Sequence, residues 1–193
     1  MIPPPDKPAM IAIAGPNGAG KTTFYETNFA DCGLPWINAD QIARRLQIDA
    51  YQAARQAEAV RQNLVTAGES FIFETVFSDP VGAKVDFLSR AVEAGYHVQL
   101  HYIGIDGPER SQLGVNMRTM QGGHDVPAEK LAPRYRRSLE NLRRAVAALP
   151  SVVIYDNSDL ARPYVKLAEG NGGKIHWHVA RPPRWIKNAL ADN

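Results

Sequence analysis

Residues 15–22, Gly-Pro-Asn-Gly-Ala-Gly-Lys-Thr, restrict what this chain can fold into more than any other stretch. They fit G-x-x-x-x-G-K-[ST]. The apolar run 10–14, Met-Ile-Ala-Ile-Ala, stands directly before them and a helical pattern over 21–31 follows. Strand, glycine-rich turn and helix in that order are the context in which this pattern cradles phosphate. Glycines let successive backbone N–H groups turn inward around an anion, and the helix beginning near Lys21 adds its positive end. Lys21 is placed to reach the β- and γ-phosphates of ATP, and Thr22 to set its hydroxyl on Mg²⁺. Gly15, Pro16, Asn17, Gly18, Ala19, Gly20 and Thr23 complete the expected nucleotide cradle. Of these, Asn17, Ala19 and Thr23 carry less information, and shaping the loop is enough to account for them.

The pattern alone does not separate a GTPase, a transporter ATPase and a kinase. Transporter ATPases need a Leu-Ser-Gly-Gly-Gln signature and an apolar strand ending in Asp-Glu, and neither occurs here. The base-reading Asn-Lys-x-Asp of GTPases is absent too.

Around the loop the chain alternates short apolar runs with helical patterns. The runs 10–14, 35–38, 71–74, 97–103 and 152–156 read as strands. Residues 21–31, 39–67, 84–94, 109–120 and 127–149 read as helices. Such alternation predicts an α/β fold, a parallel sheet with helices on both faces. The stretch 39–67 is long and rich in Ala, Gln and Arg, so a break within it is expected. Gly68 and Gly95 stand where helices should end. Segment 107–131 carries Gly107-Pro108, Gly122-Gly123 and Pro127, and reads as a lid over the site. Residues 157–173 read as a helix ending in a glycine loop, and 174–179 as a strand. The tail 174–193 is expected to pack back through Trp177, Trp185 and Ile186. The whole, residues 1–193, reads as one domain.

Composition narrows the setting. The formal net charge is +2 with both signs dispersed, which argues against nucleic acid as the main partner. No run of about 18 apolar residues occurs, so no membrane span is expected. The single cysteine, Cys32, excludes an internal disulfide and fits a reducing, cytoplasmic compartment. Residues 1–8, with three consecutive prolines and no basic opening, do not read as a signal peptide.

Two acids end predicted strands, Asp40 just after 35–38 and Glu74 closing 71–74. In a parallel α/β sheet, ligands gather beyond the carboxyl ends of the strands, so both acids should face the phosphate loop. A carboxylate there can orient an acceptor hydroxyl and take its proton, while a second can hold a substrate hydroxyl or a Mg²⁺-bound water. Asp40 has an alternative reading as a helix cap. Arg118, Arg134 and Arg137 flank the glycine segment, and their planar forks suit the oxygens of a phosphoryl group in transfer. The bland alternative is a solvated basic helix face. The histidines show no metal-binding set, so Mg²⁺ with the nucleotide is the only metal expected.

Taken together, several short series resemble the zeta-toxin-like P-loop kinases. They are 15–24 (Gly-Pro-Asn-Gly-Ala-Gly-Lys-Thr-Thr-Phe), 38–43 (Asn-Ala-Asp-Gln-Ile-Ala), 73–78 (Phe-Glu-Thr-Val-Phe-Ser), 122–127 (Gly-Gly-His-Asp-Val-Pro), 134–142 (Arg-Tyr-Arg-Arg-Ser-Leu-Glu-Asn-Leu) and 155–158 (Tyr-Asp-Asn-Ser). The closest likeness is to the family's short branch, described as predicted ABC-type ATPases. The resemblance runs from Ile11 to about Trp185 and implies a kinase-type five-stranded parallel core of order 2-3-1-4-5 under a helical lid. It implies ATP and Mg²⁺, a small-molecule acceptor such as UDP-N-acetylglucosamine, and an antitoxin-like protein partner. It makes Asp40 the catalytic base, Glu74 and Thr75 substrate-binding, and Lys21 and Thr22 the phosphate-loop pair. Arg118 becomes the first phosphate-stabilising arginine, with the second either Arg134 or Arg137. Asp156 and Asn157 fall where such kinases approach the adenine. A nucleotide-dependent switch working through a protein partner, and a nucleic-acid end kinase, are the competing readings. The first of these needs no pocket beside the two acids.

Overall fold

The computed structural model describes residues 6–112 and 127–190. Its centre is β1 (Ala9–Ala14), buried at all six positions. A strand covered on both faces must be apolar throughout, which Ala-Met-Ile-Ala-Ile-Ala satisfies. Alternate residues divide between two cores. Met10, Ala12 and Ala14 join Phe71, Phe73, Phe87 and Leu142 on one face, while Ile11 and Ile13 join Phe24, Ile72 and Ile103 on the other.

β2 (Trp36–Ile37), β3 (Phe71–Thr75), β4 (His97–Gly104) and β5 (Val152–Asp156) run parallel to β1 in the order β2-β3-β1-β4-β5, as the resemblance implied. Because β1 pairs with both β3 and β4, the direction of the crossovers reverses at its end, where a crevice opens beyond the carboxyl termini of the strands. The phosphate loop lies at that point.

The sheet has seven strands rather than five. β6 (Val165–Asn171) and β7 (Lys174–Trp177) extend it antiparallel. The expected helix over 157–173 is therefore corrected. Leu167, Ala168 and Gly170 are buried against the core, and Gly172 and Gly173 join the strands with φ of 52° and 87°. Two positive-φ residues between strands form the tight hairpin turn whose twist matches the sheet. The glycine pair is the hinge of a hairpin and not the end of a helix.

The helices α1 (Lys21–Asn28), α2 (Ala39–Leu46), α3 (Ala50–Ala67), α4 (Ala83–Glu93) and α5 (Ala128–Ala148) follow the predicted spans closely. The expected break in 39–67 falls at Gln47, in the left-handed region, after which Asp49 caps α3 by accepting from the N–H groups of Tyr51 and Gln52. A last helix, α6 (Arg184–Leu190), buries Trp185 and Ile186, and the Trp185 indole donates to Asp156 Oδ1 at 3.0 Å. No helix among the described residues is long and apolar enough to cross a membrane.

Candidate active site

The loop after β1 depends on two glycines. At Gly15, φ is +145° and a Cβ would lie 2.1 Å from the carbonyl oxygen of Ile103 on β4. At Gly20, the N-cap of α1, φ is +85°. Any larger residue at Gly15 would push the loop off the neighbouring strand. Lys21 is buried; its ammonium donates to the Pro16 carbonyl at 3.0 Å and lies 3.6 Å from Glu74 Oε1. Asn17 is buried as well, and its carbonyl accepts from the hydroxyl of Ser111.

Glu74 gathers the loop and β2 into one network. Its Oε2 accepts from the Thr22 hydroxyl and from the Asn38 amide, each at 2.8 Å. Asn38 turns its other side-chain atom to the Gln41 N–H and is the N-cap of α2. The cap that the sequence left open to Asp40 thus belongs to Asn38. Asp40 stands in the first turn of α2, half-buried, and lines a cleft.

That cleft encloses about 580 Å³. Asn17, Lys21 and Glu74 border it on the phosphate-loop side, and Asp40, Thr75, Glu58 and Arg61 continue it away from the loop. Thr75 accepts from the Phe77 N–H at 3.1 Å. Phe77 is buried with φ of 60°, a conformation that a bulky residue adopts only where its surroundings dictate it. Here they do: the Asn141 amide donates to the carbonyls of Phe77 and Asp79, and Arg137 Nε donates to the Ser78 carbonyl at 2.7 Å. Arg137 thus holds the loop after β3, whereas Arg134, one turn earlier on α5, lines the cleft. Arg118 lies outside the described residues, as does most of the expected lid over 107–131.

Arg61, Lys84 and Glu58 are among the cleft residues that escaped the sequence reading. Arg61 is buried on α3, donates to Glu58 Oε2 at 2.7 Å and places its guanidinium 5.1 Å from the Phe73 ring centre. Lys84 of α4 reaches the same carboxylate oxygen. Burial opposes the charge on Glu58, but the hydrogen bonds and charges of Lys84 and Arg61 outweigh it and hold this carboxyl below its usual range. A signal for Arg61 was present. The buried face of α3 is Ala53, Ala57 and Arg61, so an arginine continues a small-residue stripe at spacing four. Nothing local announces Lys84.

Asn157, expected near the adenine, donates to the Ala19 carbonyl at 3.0 Å and accepts from the Tyr164 N–H at 3.3 Å. Thr23 is exposed on α1.

Comparison with known proteins agrees with this architecture. The chain is 27% identical over 130 residues to an uncharacterized protein of Haemophilus influenzae, covering 65% of this chain and 91% of that one. Its fold superposes on AvrRxo1-ORF1:AvrRxo1-ORF2, solved with sulphate ions, with a TM-score of 0.72, 17% identity and 90% of this chain covered. The complex with ATP superposes with a TM-score of 0.70. The chain spans 62% of the length of the first of these structures. The PezAT chromosomal toxin–antitoxin system of Streptococcus pneumoniae follows, with a TM-score of 0.59, 19% identity, and 83% of this chain and 71% of that one covered. At such identities the structures speak for the fold. The family is shown by sequence: the zeta toxin model matches residues 38–167, more than half of the chain, which therefore belongs to the zeta toxin family.

Proposed function

We propose that this protein is an ATP-dependent phosphotransferase that moves the γ-phosphate onto a hydroxyl of a small molecule, with a UDP-sugar such as UDP-N-acetylglucosamine as the leading acceptor. One observation carries the reading: a single cleft joins the phosphate-loop lysine, Lys21, to the carboxylate of Asp40. A switch acting through a partner would need no such cleft beside its acids.

The roles follow from position. Gly15–Thr22 and Lys21 hold the phosphates. Thr22 and Glu74 present hard oxygen atoms 2.8 Å apart, a donor set that suits Mg²⁺. When bound, that ion would neutralise charge on the phosphates. Asp40 orients the acceptor hydroxyl for in-line attack and accepts its proton. Arg134 is the second phosphate arginine, since Arg137 is engaged with Ser78. Glu58, kept ionised by two cations, accepts hydrogen bonds from further hydroxyl or amide groups of the acceptor. The toxin–antitoxin setting of the structural neighbour supports an antitoxin-like protein as the partner to seek.

The test is phosphorus NMR of ATP incubated with the protein, Mg²⁺ and a panel of UDP-sugars, free sugars and nucleosides. A new phosphomonoester with wild type, lost with Asp40→Asn, is expected. ATP hydrolysis unaffected by every acceptor would overturn the proposal.

A further inference from the structure

Two side chains from the far edge of the parallel sheet grip the phosphate loop from behind. Asn157, which follows β5, donates its amide to the Ala19 carbonyl at 3.0 Å. Tyr164, which precedes β6, donates its hydroxyl to the Gly20 carbonyl at 2.9 Å. The two are tied together, because the Tyr164 N–H reaches Asn157 Oδ1 at 3.3 Å. Asn157 is itself fixed, its N–H donating to the Gly104 carbonyl of β4 at 2.8 Å. These contacts span 138 and 144 residues of sequence.

A trans peptide group is planar, with C=O and N–H pointing to opposite sides. Fixing the Ala19 carbonyl therefore fixes the Gly20 N–H, and fixing the Gly20 carbonyl fixes the Lys21 N–H. Both donors are therefore aimed away from the grip. The Gly20 carbonyl also accepts the first helical bond of α1, from Phe24 at 2.9 Å, so the hydroxyl of Tyr164 adds to an orientation already started by the helix.

Two further observations mark this as more than packing. Tyr164 sits at φ 54°, in the left-handed region that a tyrosine rarely occupies. Such backbone persists where surrounding contacts impose it, and it concentrates at functional sites. At Gly20, a Cβ would fall 2.7 Å from the Asn157 amide nitrogen and 2.9 Å from the Tyr164 hydroxyl. A side chain at this position would have to displace both groups, so the glycine that the φ of +85° favours also leaves room for their approach. The Tyr164 ring packs 5.2 Å from Phe24 of α1, and burial pushes its phenol above the usual range, so the hydroxyl stays protonated and can donate.

We propose that Asn157 and Tyr164 are positioning residues for the nucleotide phosphates: a strap from the β5–β6 connection that presets the N–H groups of Gly20 and Lys21, with Asn157 acting through the loop rather than on the adenine. The inference rests on the nucleotide-binding half of the proposed function and is independent of the acceptor.

The experiment measures Kd for ADP and for inorganic tripolyphosphate, with Mg²⁺, on wild type, Tyr164→Phe and Asn157→Asp. Tyr164→Phe keeps the ring and removes only the hydroxyl. Asn157→Asp keeps the acceptor for the Tyr164 N–H and turns an oxygen toward the Ala19 carbonyl. Far-UV circular dichroism checks that each variant is folded. One lost hydrogen bond of this kind corresponds to a weakening of roughly 3- to 10-fold, and it should be the same for ADP and for tripolyphosphate. A weakening confined to ADP would overturn the strap in favour of a base contact. Equal affinities in all three proteins would overturn it outright. If wild type binds neither probe, the nucleotide reading fails and takes the strap with it, an outcome distinct from the other two.

Discussion

At the phosphate end of the cleft, the principal groups come from one run of eight residues, and their partners are largely backbone carbonyls and a single carboxylate, Glu74. At the end proposed to take the acceptor they come from α2, α3, α4, α5 and the loop after β3, and side chains position other side chains: Arg61 and Lys84 hold Glu58, while Asn141 and Arg137 hold the Phe77–Asp79 turn. The first arrangement is local and tolerates only one chemistry, the cradling of an anion. The second is assembled from distant pieces and can be re-equipped by exchanging side chains without disturbing the sheet. Phosphate binding and acceptor choice should therefore separate under mutation.

Lys21→Ala is the most severe way to break that division. It removes the buried cation at the phosphate end and, with it, the ion pair to Glu74. Transfer should be abolished and ATP binding weakened, whatever the acceptor. Turnover is read by release of ADP, and a variant as active as wild type would remove the phosphate-loop assignment.

Asp40→Asn comes next. Phosphoryl transfer leans on positioning and charge more than on proton removal, so the loss should be large and incomplete, on the order of 10²–10⁴-fold in kcat. Because Asn38 caps α2, this change leaves the cap in place and the protein folded. The Kd for ATP should stay within about twofold, since Asp40 serves the acceptor. Full activity on the true acceptor would transfer the role of base to another acid of the cleft.

Glu58→Gln probes the acceptor end alone. The amide keeps the shape, loses the charge that Lys84 and Arg61 offset, and exchanges one acceptor atom for a donor. The KM for the acceptor should rise about tenfold, with the KM for ATP unchanged, the size expected of one charged hydrogen bond. Parallel changes in both constants would show that the two ends of the cleft are not separable.

The same division explains what could be read from sequence. The phosphate end was legible because eight contiguous residues carry it, and β1 through β5 were legible because apolar runs ended at turn residues. Asp40 and Glu74 were legible as acids closing predicted strands, but a capping role for Asp40 could be set aside only once Asn38 was seen to accept from the Gln41 N–H. Asn38 was passed over because its importance lies in a bond to Glu74, 36 residues away. Lys84 and Tyr164 were invisible for the same reason: each acts on a group brought near only by the finished sheet. Arg61 was missed for a different one. Its place at spacing four after Ala53 and Ala57 marks the buried face of α3, but arginines are so seldom buried that the residue type points the other way. The hairpin β6–β7 was misread because Gly172-Gly173 serves a helix end and a strand turn equally well, and only strand pairing distinguishes them.

Asn38 is where the two ends meet, and it offers the smallest and most diagnostic effect. Its Oδ1 caps the helix that carries Asp40, and its Nδ2 holds the carboxylate that holds Thr22. Ser caps a helix as well as Asn does but has no amide to reach Glu74. Asn38→Ser should therefore keep α2 in place and loosen only the phosphate end. Stability should fall by about 1 kcal/mol, the worth of one hydrogen bond, and the KM for ATP should rise a few-fold with the acceptor KM unchanged. Asn38→Ala loses the cap as well, which costs roughly another 1 kcal/mol and lets the first turn of α2 fray. In a chain of this size each step lowers the melting temperature by about 2–4 °C. With Asp40 in that turn, only the alanine variant should also lose kcat. Should the serine and alanine variants prove indistinguishable in melting temperature and in both KM values, the cap is not what places Asp40, and its position must come from the packing of α2 on α3.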